Sequence, residues 1–312
     1  MSNVIEVEGL TKDYQQLRAL NKLTFQVRQG EILGLLGPNG SGKSTAINCM
    51  LSLLRFGSGS VKIFGEEMRP DAFDIKRRLG VVFQDVAVFD ELTVAQNLDY
   101  FCGLYISNKA ERAKKIDAAV KLVGLQDYLK FRPKQLSGGL LRRLNLACGI
   151  AHQPDLIFLD EPTVAVDPQS RNNILDGIVT LRDRGATVVY TTHYMEEVEQ
   201  ICDRIIILDK GEIIAQGTIN QLKQLSDIEE KVTLQGVELP PELKEKLEND
   251  PQIESVTSRN RTVQLVYRHG QNHVSALISQ LSQTGVSYES IYSERPTLND
   301  VFLQLTGKEL RD

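Results

Sequence analysis

The sequence has few of the features that mark exported, membrane-spanning or nucleic-acid-binding proteins. Cys49, Cys102, Cys148 and Cys202 are far apart and form no C-x-x-C pair, so neither a disulfide framework nor a zinc site is indicated. No apolar run approaches the roughly 20 residues that a bilayer crossing needs, and no secretion signal is expected at the N-terminus. No Lys/Arg run stands out at a formal net charge of -5, so a DNA or RNA partner is not expected.

The overall composition is that of an ordinary soluble globular protein. Of 312 residues, 41% are hydrophobic and 25% are charged, which indicates neither disorder nor a fibrous fold. The length exceeds that of one typical domain, so we expect one large and one small domain. After about Gln224 the chain becomes more polar, and a Pro240-Pro241 break follows. We therefore expect a larger domain at residues 1–225 and a smaller one at residues 226–312.

Short apolar runs alternate with helical patterns over the larger domain, which predicts an α/β fold with a parallel sheet. Apolar residues at three- and four-residue spacing predict a helical insertion at about residues 90–140. Alternating patterns at the two ends of the domain predict antiparallel hairpins. The predicted buried strands are Glu31–Leu36, Gly80–Phe83, Leu156–Leu159 and Thr187–Thr191, and the predicted hairpins pair Val4–Val7 with Leu23–Val27 and Ile205–Leu208 with Glu212–Ala215.

The smaller domain shows a different order of elements. Its strands and helices follow the order β-α-β-β-α-β, which predicts a ferredoxin-like α+β unit. A last helix, Leu298–Leu305, has an apolar face that includes Val301 and Phe302. The predicted strands are Lys231–Val237, Ile253–Ser258, Thr262–Tyr267 and Ser287–Tyr292, and the predicted helices are Glu242–Asn249 and Val274–Gln283.

A glycine-rich loop follows the strand Glu31–Leu36 and precedes a predicted helix. Residues 37–44 fit the pattern G-x-x-x-x-G-K-[ST], in which backbone N–H groups wrap a nucleotide phosphate. In this pattern Lys43 reaches the β- and γ-phosphates, and the Ser44 hydroxyl ligates Mg²⁺. The alternative is a chance glycine-rich turn, which the flanking strand and helix disfavour. The predicted nucleotide-binding residues here are Gly37, Pro38, Asn39, Gly40, Ser41, Gly42, Lys43, Ser44 and Thr45.

Two carboxylates follow the strand Leu156–Leu159. Parallel sheets bind ligands at the carboxyl ends of their strands, so Asp160 is predicted to hold Mg²⁺, either directly or through another ligand. Glu161 is predicted to act as general base towards the attacking water. Alone, the pair could equally form a solvated acidic turn, but the glycine-rich loop favours the catalytic interpretation.

A third motif, Ser137-Gly138-Gly139, precedes the strand that ends at these carboxylates. It predicts the start of a helix running from about Leu141 to Ala151, with an ordinary helix cap as the alternative to a functional motif. A phosphate-binding loop alone is compatible with kinases, GTPases and helicases. With Ser137-Gly138-Gly139 and the two carboxylates added, the sequence resembles the ATP-binding cassette (ABC) ATPases.

This resemblance covers roughly residues 3–220 and implies a fold, a reaction and a dimer. The implied fold is a P-loop NTPase cassette with a RecA-like parallel core, an antiparallel edge subdomain and a helical insertion. The implied reaction is ATP hydrolysis with Mg²⁺. In the family, Ser137-Gly138-Gly139 of one cassette meets the ATP bound by another. The resemblance therefore implies a head-to-tail dimer with a second copy of this chain or a homologous cassette.

Four further residues match the family one by one. Tyr14 stands where an aromatic ring stacks on adenine, although a partly buried strand-end tyrosine is an equal alternative. Gln84 matches the glutamine that touches Mg²⁺ and the attacking water. Asp167 matches an aspartate that communicates across the dimer, and His193 matches the histidine that contacts the γ-phosphate. The acidic run Glu196–Glu199 is interpreted as a solvated helix face.

Two features of the sequence depart from the family pattern. Leu140 replaces the glutamine that usually ends the Ser-Gly-Gly signature, and Val164-Ala165-Val166 replaces a run that usually contains glycine. Glu161 is intact, so we expect hydrolysis to persist and any effect to fall on the affinity of the dimer or the rate of turnover.

Residues Glu294–Leu303 resemble the C-terminal signature of ATPases from bacterial ABC-2 type exporters, a group that includes daunorubicin and linearmycin resistance systems. This resemblance implies a motor subunit held at the cytoplasmic face of the membrane by a separately encoded permease. It favours an antibiotic or lipophilic drug as cargo, with lipids, polysaccharides and sodium as alternatives. A soluble ABC protein acting on ribosomes or DNA, and a binding-only regulator, are the other interpretations. The single cassette disfavours the first, and the intact Glu161 disfavours the second.

Overall fold

The computed structural model describes residues 2–268 and 273–307. The chain divides after Thr218 into two compact units, which are described separately below. No helix within the described residues combines the length and the apolar character that a membrane crossing requires. The four cysteines are buried and none is in a disulfide.

The first unit contains a six-stranded sheet, a four-stranded sheet and seven α-helices among its described residues. Its strands are β1 (Asn3–Tyr14), β2 (Leu17–Arg28), β3 (Ile32–Leu36), β4 (Ser58–Ile63), β5 (Glu66–Glu67), β6 (Leu79–Val82), β7 (Leu156–Asp160), β8 (Thr187–Thr192), β9 (Arg204–Asp209) and β10 (Glu212–Gly217). Its helices are α1 (Lys43–Met50), α2 (Phe73–Lys76), α3 (Val94–Gly103), α4 (Lys109–Val123), α5 (Gly138–Ile150), α6 (Pro168–Asp183) and α7 (Met195–Ile201).

The six-stranded sheet has the order β10-β9-β3-β8-β7-β6. Its neighbours are parallel except for the β9–β10 hairpin. Every residue of β3, β7 and β8 is buried, which explains why β3 and β7 are short, mainly apolar runs rather than alternating ones. The predicted parallel sheet is therefore confirmed, and it places the carboxyl ends of β3, β7 and β8 side by side.

The N-terminal strands form a separate antiparallel sheet in the order β2-β1-β4-β5. The predicted hairpin is confirmed, with Val7 opposite Phe25, but each strand extends to 12 residues and the pairing contains bulges. The apolar side of this sheet packs into the same core as the parallel sheet, around Ile47 and Met50 of α1. Because both sheets share one core, the position of β1 and β2 beside the loop that precedes α1 is fixed by packing.

The helical insertion consists of α3 and α4, followed by two 3₁₀ turns at residues 126–128 and 133–135. A capping box between Thr93 and Gln96 starts α3, and the Asn108 side chain caps α4. Helix α5 begins at Gly138, three residues before the predicted start near Leu141, because the Ser137 hydroxyl accepts the Leu140 N–H and closes the first turn.

The second unit is a four-stranded antiparallel sheet with helices. Its elements are α8 (Ile219–Lys223), β11 (Ile228–Gln235), α9 (Pro241–Glu248), β12 (Ile253–Arg259), β13 (Thr262–Arg268), α10 (His273–Gln283), β14 (Ser290–Glu294) and α11 (Leu298–Thr306). The strand order is β12-β13-β11-β14, and every neighbouring pair is antiparallel. This is the order of a ferredoxin-like unit, which confirms the predicted fold. Residues 308–312 of the predicted smaller domain lie outside the described residues.

Candidate functional site

The glycine-rich loop connects the buried strand β3 to the start of α1, as predicted. Gly42 caps α1 with a φ of 107°, in the left-handed region that favours glycine. A Cβ atom on Gly42 would lie 2.8 Å from the carbonyl oxygen of Ala19, and one on Gly37 would lie 2.3 Å from that of Leu208. Glycine is therefore required at both positions, because neighbouring backbone approaches the loop too closely for any side chain.

Lys43, the first residue of α1, is buried at the base of this loop. Its ammonium donates to the carbonyl oxygens of Gly37, at 2.7 Å, and Pro38, at 3.2 Å, and lies 3.4 Å from Glu161 Oε1. Burial lowers the pKa of Lys43, and the nearby carboxylates of Glu161 and Asp160 only partly oppose that effect. An anion such as a phosphate would supply the missing compensation.

The end of β7 and the end of β8 hold the two carboxylates. The Thr191 hydroxyl donates to Asp160 Oδ1 at 2.6 Å and accepts the Glu161 backbone N–H at 2.9 Å. Glu161 adopts a φ of 47°, which is strained for a residue with a side chain. Sequence reasoning missed Thr191, although its place in the strand beside Asp160 could have indicated it.

Glu161 lies between two groups that can carry positive charge. Its Oε1 is 3.4 Å from Lys43 Nζ, and its Oε2 is 3.4 Å from His193 Nδ1. His193 comes directly after β8 and its ring packs against that of Tyr194, with centroids 4.2 Å apart. The fold thus brings together residues 43, 161 and 193, which are far apart in the sequence.

An open cleft of about 450 Å³ is lined by Lys43 and Glu161, whereas His193 is not among its lining residues. Nine of the predicted residues line it, and Leu17, Arg18, Ala19 and Lys210 line it although they were not predicted. Arg18 forms an ion pair with Asp13 at 2.9 Å, beside Tyr14. The hairpin pattern could have indicated Arg18, since β2 folds back along Tyr14. The predicted lining residues are Tyr14, Asn39, Gly40, Gly42, Lys43, Ser44, Thr45, Gln84 and Glu161.

The loop that follows β6 is held by α5. Arg142 donates to the carbonyl oxygen of Gln84, and the Asn145 side chain accepts the Ala87 N–H at 3.0 Å. Helix α5 begins at the Ser-Gly-Gly motif, so one rigid element connects that motif to Gln84. Neither Arg142 nor Asn145 was predicted, and no pattern in the sequence marks them.

The residues Ser137, Gly138, Gly139 and Asp167 do not line the cleft and form a separate cluster. The Ser137 hydroxyl caps α5 by accepting the Leu140 N–H at 3.3 Å. Asp167 caps α6 by accepting the Ser170 N–H at 2.9 Å, and this hydrogen bond lowers the pKa of Asp167. A Cβ atom on Gly139 would lie 2.4 Å from the Ser170 hydroxyl oxygen, so the two helix starts touch.

The predicted magnesium ligands fit a hard cation. Ser44 and Gln84 line the cleft, and Asp160 is buried next to Glu161, which also lines it, so a hydroxyl, an amide and a carboxylate are available as oxygen donors. The Ser41 hydroxyl is buried and has no hydrogen-bond partner among the described residues. The loop therefore has unused polar capacity, as expected of a site for a phosphate and its cation.

Comparison with known proteins identifies both units. A model of the ABC transporter family matches residues 20–164, and a model described as ATP-binding protein DrrA1-3-like, C-terminal domain, matches residues 217–306. The linearmycin resistance ATP-binding protein of Bacillus subtilis is 34% identical over 99% of this chain and 100% of that protein. The daunorubicin resistance ATP-binding protein of Streptomyces coeruleorubidus is 33% identical over 98% and 97%.

Solved structures agree with these sequence matches. The structure of an ATP-binding subunit of an ABC transporter has a TM-score of 0.65 and 26% identity, covering 71% of this chain and 92% of that one. A dimeric ATP-binding cassette in a post-hydrolysis state with ADP and Pi has a TM-score of 0.63 and 28% identity, covering 69% and 98%. From the cleft, the fold and these relatives together, the chain belongs to the ABC transporter family, as an ATP-hydrolysing, ATP-binding subunit of the daunorubicin-resistance type.

Proposed function

We propose that this chain binds Mg-ATP in the cleft, closes on it with a second cassette, and so powers export through a separate membrane permease. The observation that carries the proposal is the position of Glu161, held between Lys43 and His193 directly beneath the cleft. ATP brings the negative charge that buried Lys43 lacks. If the Lys43 ammonium moved from Glu161 to the γ-phosphate, the Glu161 carboxylate would be free to accept a proton from water.

Each residue has one role in this proposal. Tyr14 stacks on adenine, and the backbone of residues 37–45 wraps the phosphates. Ser44, Asp160 and Gln84 would hold Mg²⁺, which supplies charge neutralisation at the β- and γ-phosphates. Glu161 takes the proton of the attacking water and His193 contacts the γ-phosphate.

Two cassettes are needed because the Ser-Gly-Gly motif lies outside the cleft. Ser137 and Gly138 are exposed, and a Cβ atom on Gly138 would meet no other atom of the described chain within 4 Å. A second copy of this chain, or a homologous cassette, would place its own Ser137-Gly138-Gly139 and Asp167 against the ATP of the first. A dimeric cassette with ADP and Pi is among the similar structures, which supports a dimer here.

A permease would bind beside the loop of Gln84. Four large apolar side chains there, Phe89, Tyr100, Leu104 and Tyr105, are between 43% and 64% exposed, which is unusual for one small area. Leu104 and Tyr105 line a groove of about 250 Å³ between the helical insertion and α5, and the rings of Phe89 and Tyr100 pack against Phe101, which also lines it. Because α5 also holds Gln84, a permease seated in this groove could respond to ATP in the cleft. Such a permease would keep the chain at the cytoplasmic face of the membrane.

The proposed cargo is an antibiotic or another lipophilic drug, following the linearmycin and daunorubicin resistance relatives. A Nod factor export ATP-binding protein of Ralstonia nicotianae is 35% identical over 99% of this chain and 95% of that protein. Overall identity therefore does not single out one cargo, and lipids, polysaccharides and sodium remain alternatives.

Two substitutions test the assignment of the site. Glu161→Gln should bind ATP normally but lower kcat at least about 100-fold, because it removes the general base. Lys43→Ala should instead weaken ATP binding, because it removes the cation that contacts the phosphates. ATP hydrolysis and equilibrium nucleotide binding would be measured for both variants. Hydrolysis by Glu161→Gln at the wild-type rate would disprove the role of Glu161.

A further inference from the structure

A buried carboxylate on α7 is not explained by the roles above. Glu197 belongs to the acidic run that was predicted to be a solvated helix face, and for this residue the prediction is wrong, since only 2% of it is exposed. We infer that Glu197 and Arg171 are positioning residues that fix His193 against Glu161. This inference rests on the proposed function, because it assigns to the pair the task of holding a residue of that same site.

Glu197 is held by three side chains from two other elements. Its Oε2 accepts from the Tyr190 hydroxyl at 2.6 Å and from the Thr192 hydroxyl at 2.8 Å. Its Oε1 lies 3.4 Å from Arg171 Nε on α6. Burial and the nearby Glu197 raise the pKa of Tyr190 well above its ordinary value, so the phenol remains a hydrogen-bond donor.

Thr192 and Tyr194, the residues on either side of His193, are both held by these contacts. The Thr192 hydroxyl, which donates to Glu197, also accepts the Tyr194 backbone N–H at 3.0 Å and so closes a tight loop around His193. The guanidinium of Arg171 lies over the Tyr194 ring, 4.5 Å from its centroid, and that ring packs on His193. The imidazole therefore packs against the Tyr194 ring, tilted by 40° to it, and the same ring contacts Arg171.

The charge of Glu197 is needed for Arg171 and not for the hydroxyls. A glutamine at position 197 could still accept both hydroxyl hydrogen bonds through its single oxygen. Its amide group would face Arg171 with hydrogen-bond donors, however, and the guanidinium would lose its anionic partner. Burying a carboxylate is costly, and the two hydroxyl hydrogen bonds and the charge of Arg171 together offset that cost.

The same pair ties His193 to the start of α6. Arg171 lies in the first turn of this helix, where its backbone N–H donates to the backbone carbonyl oxygen of Asp167 at 2.9 Å. The Tyr190 hydroxyl also contacts the Thr163 hydroxyl, at 3.4 Å, in the segment after Glu161. A second cassette that contacted Asp167 would therefore contact the same helical turn that carries Arg171.

The test compares Glu197→Gln, Arg171→Met and the double variant with wild type in the full chain. The readouts are kcat and KM for Mg-ATP, the number of ATP molecules bound per chain, and Tm. Glu196→Gln, an exposed change in the same helix, is the matched control. Arg171→Lys is the conservative variant, which keeps the charge but loses the planar group that stacks on Tyr194.

Both single variants are expected to lower kcat about 10-fold or more with KM changed less than threefold, because misplacing a catalytic group costs rate rather than binding. The double variant should be no slower than the slower single variant, since both substitutions break one pair. Arg171→Lys should retain an intermediate kcat, and Glu196→Gln should match wild type.

Three results would overturn the inference. The first is a kcat per bound ATP within twofold of wild type in both single variants. The second is a fall in kcat in the double variant equal to the product of the two single falls, and the third is a fall in turnover that only matches a fall in ATP bound per chain. If a variant melts near the assay temperature, Tyr194→Leu takes its place, since it removes the stack while leaving Glu197 paired. A wild-type chain without ATPase activity would refute the proposed function itself, so the two failures can be told apart.

Discussion

Ala165 lies in a run that usually contains glycine in the family, and its backbone conformation should lower the stability of this chain. It adopts a φ of 58°, in the left-handed region. A side chain in that region costs about 1–2 kcal/mol of stability, because Cβ approaches the following carbonyl oxygen. The segment between Glu161 and Asp167 is therefore strained at both Glu161 and Ala165.

Ala165→Gly should raise the free energy of unfolding by roughly 0.5–1 kcal/mol, since the strain it relieves exceeds the entropy that glycine adds to the unfolded chain. Ala113→Gly, at an exposed position inside α4, is the matched control and should lower the free energy of unfolding by about 1 kcal/mol. Urea titration of the full chain measures both. A destabilised Ala165→Gly would show that the left-handed conformation carries no strain.

The burial of Glu197 could not be predicted from the sequence. Four consecutive positions with three carboxylates suggest a solvated helix face, and the sequence does not show what lies opposite each of them. The partners of Glu197 come from Tyr190, Thr192 and Arg171, and only the packing of α7 against β8 and α6 brings them together. Lys43 and Glu161 could be predicted because a recognisable local pattern surrounds each of them.

At the scale of elements, the last helix of the second unit is held by a buried ion pair. Asp300 completes the capping box that begins α11 and is paired with Lys231 on β11. Burial alone would raise the pKa of Asp300, but hydrogen bonds from Lys231 and Thr297 outweigh it and lower the pKa. The carboxylate therefore stabilises this unit in its charged form.

Asp300→Asn should lower the free energy of unfolding by about 1–3 kcal/mol at neutral pH, because it leaves a mostly buried Lys231 without its anion. Since the pKa of Asp300 is lower in the folded state, its contribution is present above the unfolded pKa of about 3.9 and is lost as the pH falls below it. Urea titrations at pH 7 and pH 3 measure the difference from wild type, which should shrink at pH 3.

An exposed pair provides the comparison for Asp300. Glu248→Gln breaks the surface pair with Lys244 in α9 and should cost less than about 0.5 kcal/mol. An equal cost for the two substitutions would mean that burial adds nothing to the Asp300–Lys231 pair.

Most elements could be predicted because their apolar spacing is set by local geometry. The continuous apolar runs of β3 and β7 and the order of elements in the second unit correctly indicated a parallel sheet and a ferredoxin-like unit. The full length of β1 and β2 could not be predicted, since their outer residues are exposed and bulges interrupt the alternation. The start of α5 was misplaced because Gly138 and Gly139 are poor helix formers, and the Ser137 cap overrides that tendency.

At the scale of the whole molecule, the proposed dimer requires each chain to supply half of each of two sites. The cleft holds Lys43 and Glu161, while Ser137 and Asp167 form a cluster that does not line it. ATP can drive closure only if it makes contacts in the closed dimer that are absent from the open one. No sequence pattern shows which surfaces meet in a dimer, so this step depends on the geometry of the fold and the resemblance to known cassettes.

The most direct test is the mass of Glu161→Gln in solution with saturating Mg-ATP, measured by light scattering. Because this variant should bind ATP without hydrolysing it, the closed form should accumulate. We expect a mass of about twice the 34.9 kDa of one chain in Mg-ATP and of a single chain in Mg-ADP, with Lys43→Ala remaining a single chain in both. A Glu161→Gln chain that binds ATP but keeps the mass of one chain would contradict two copies sharing their sites.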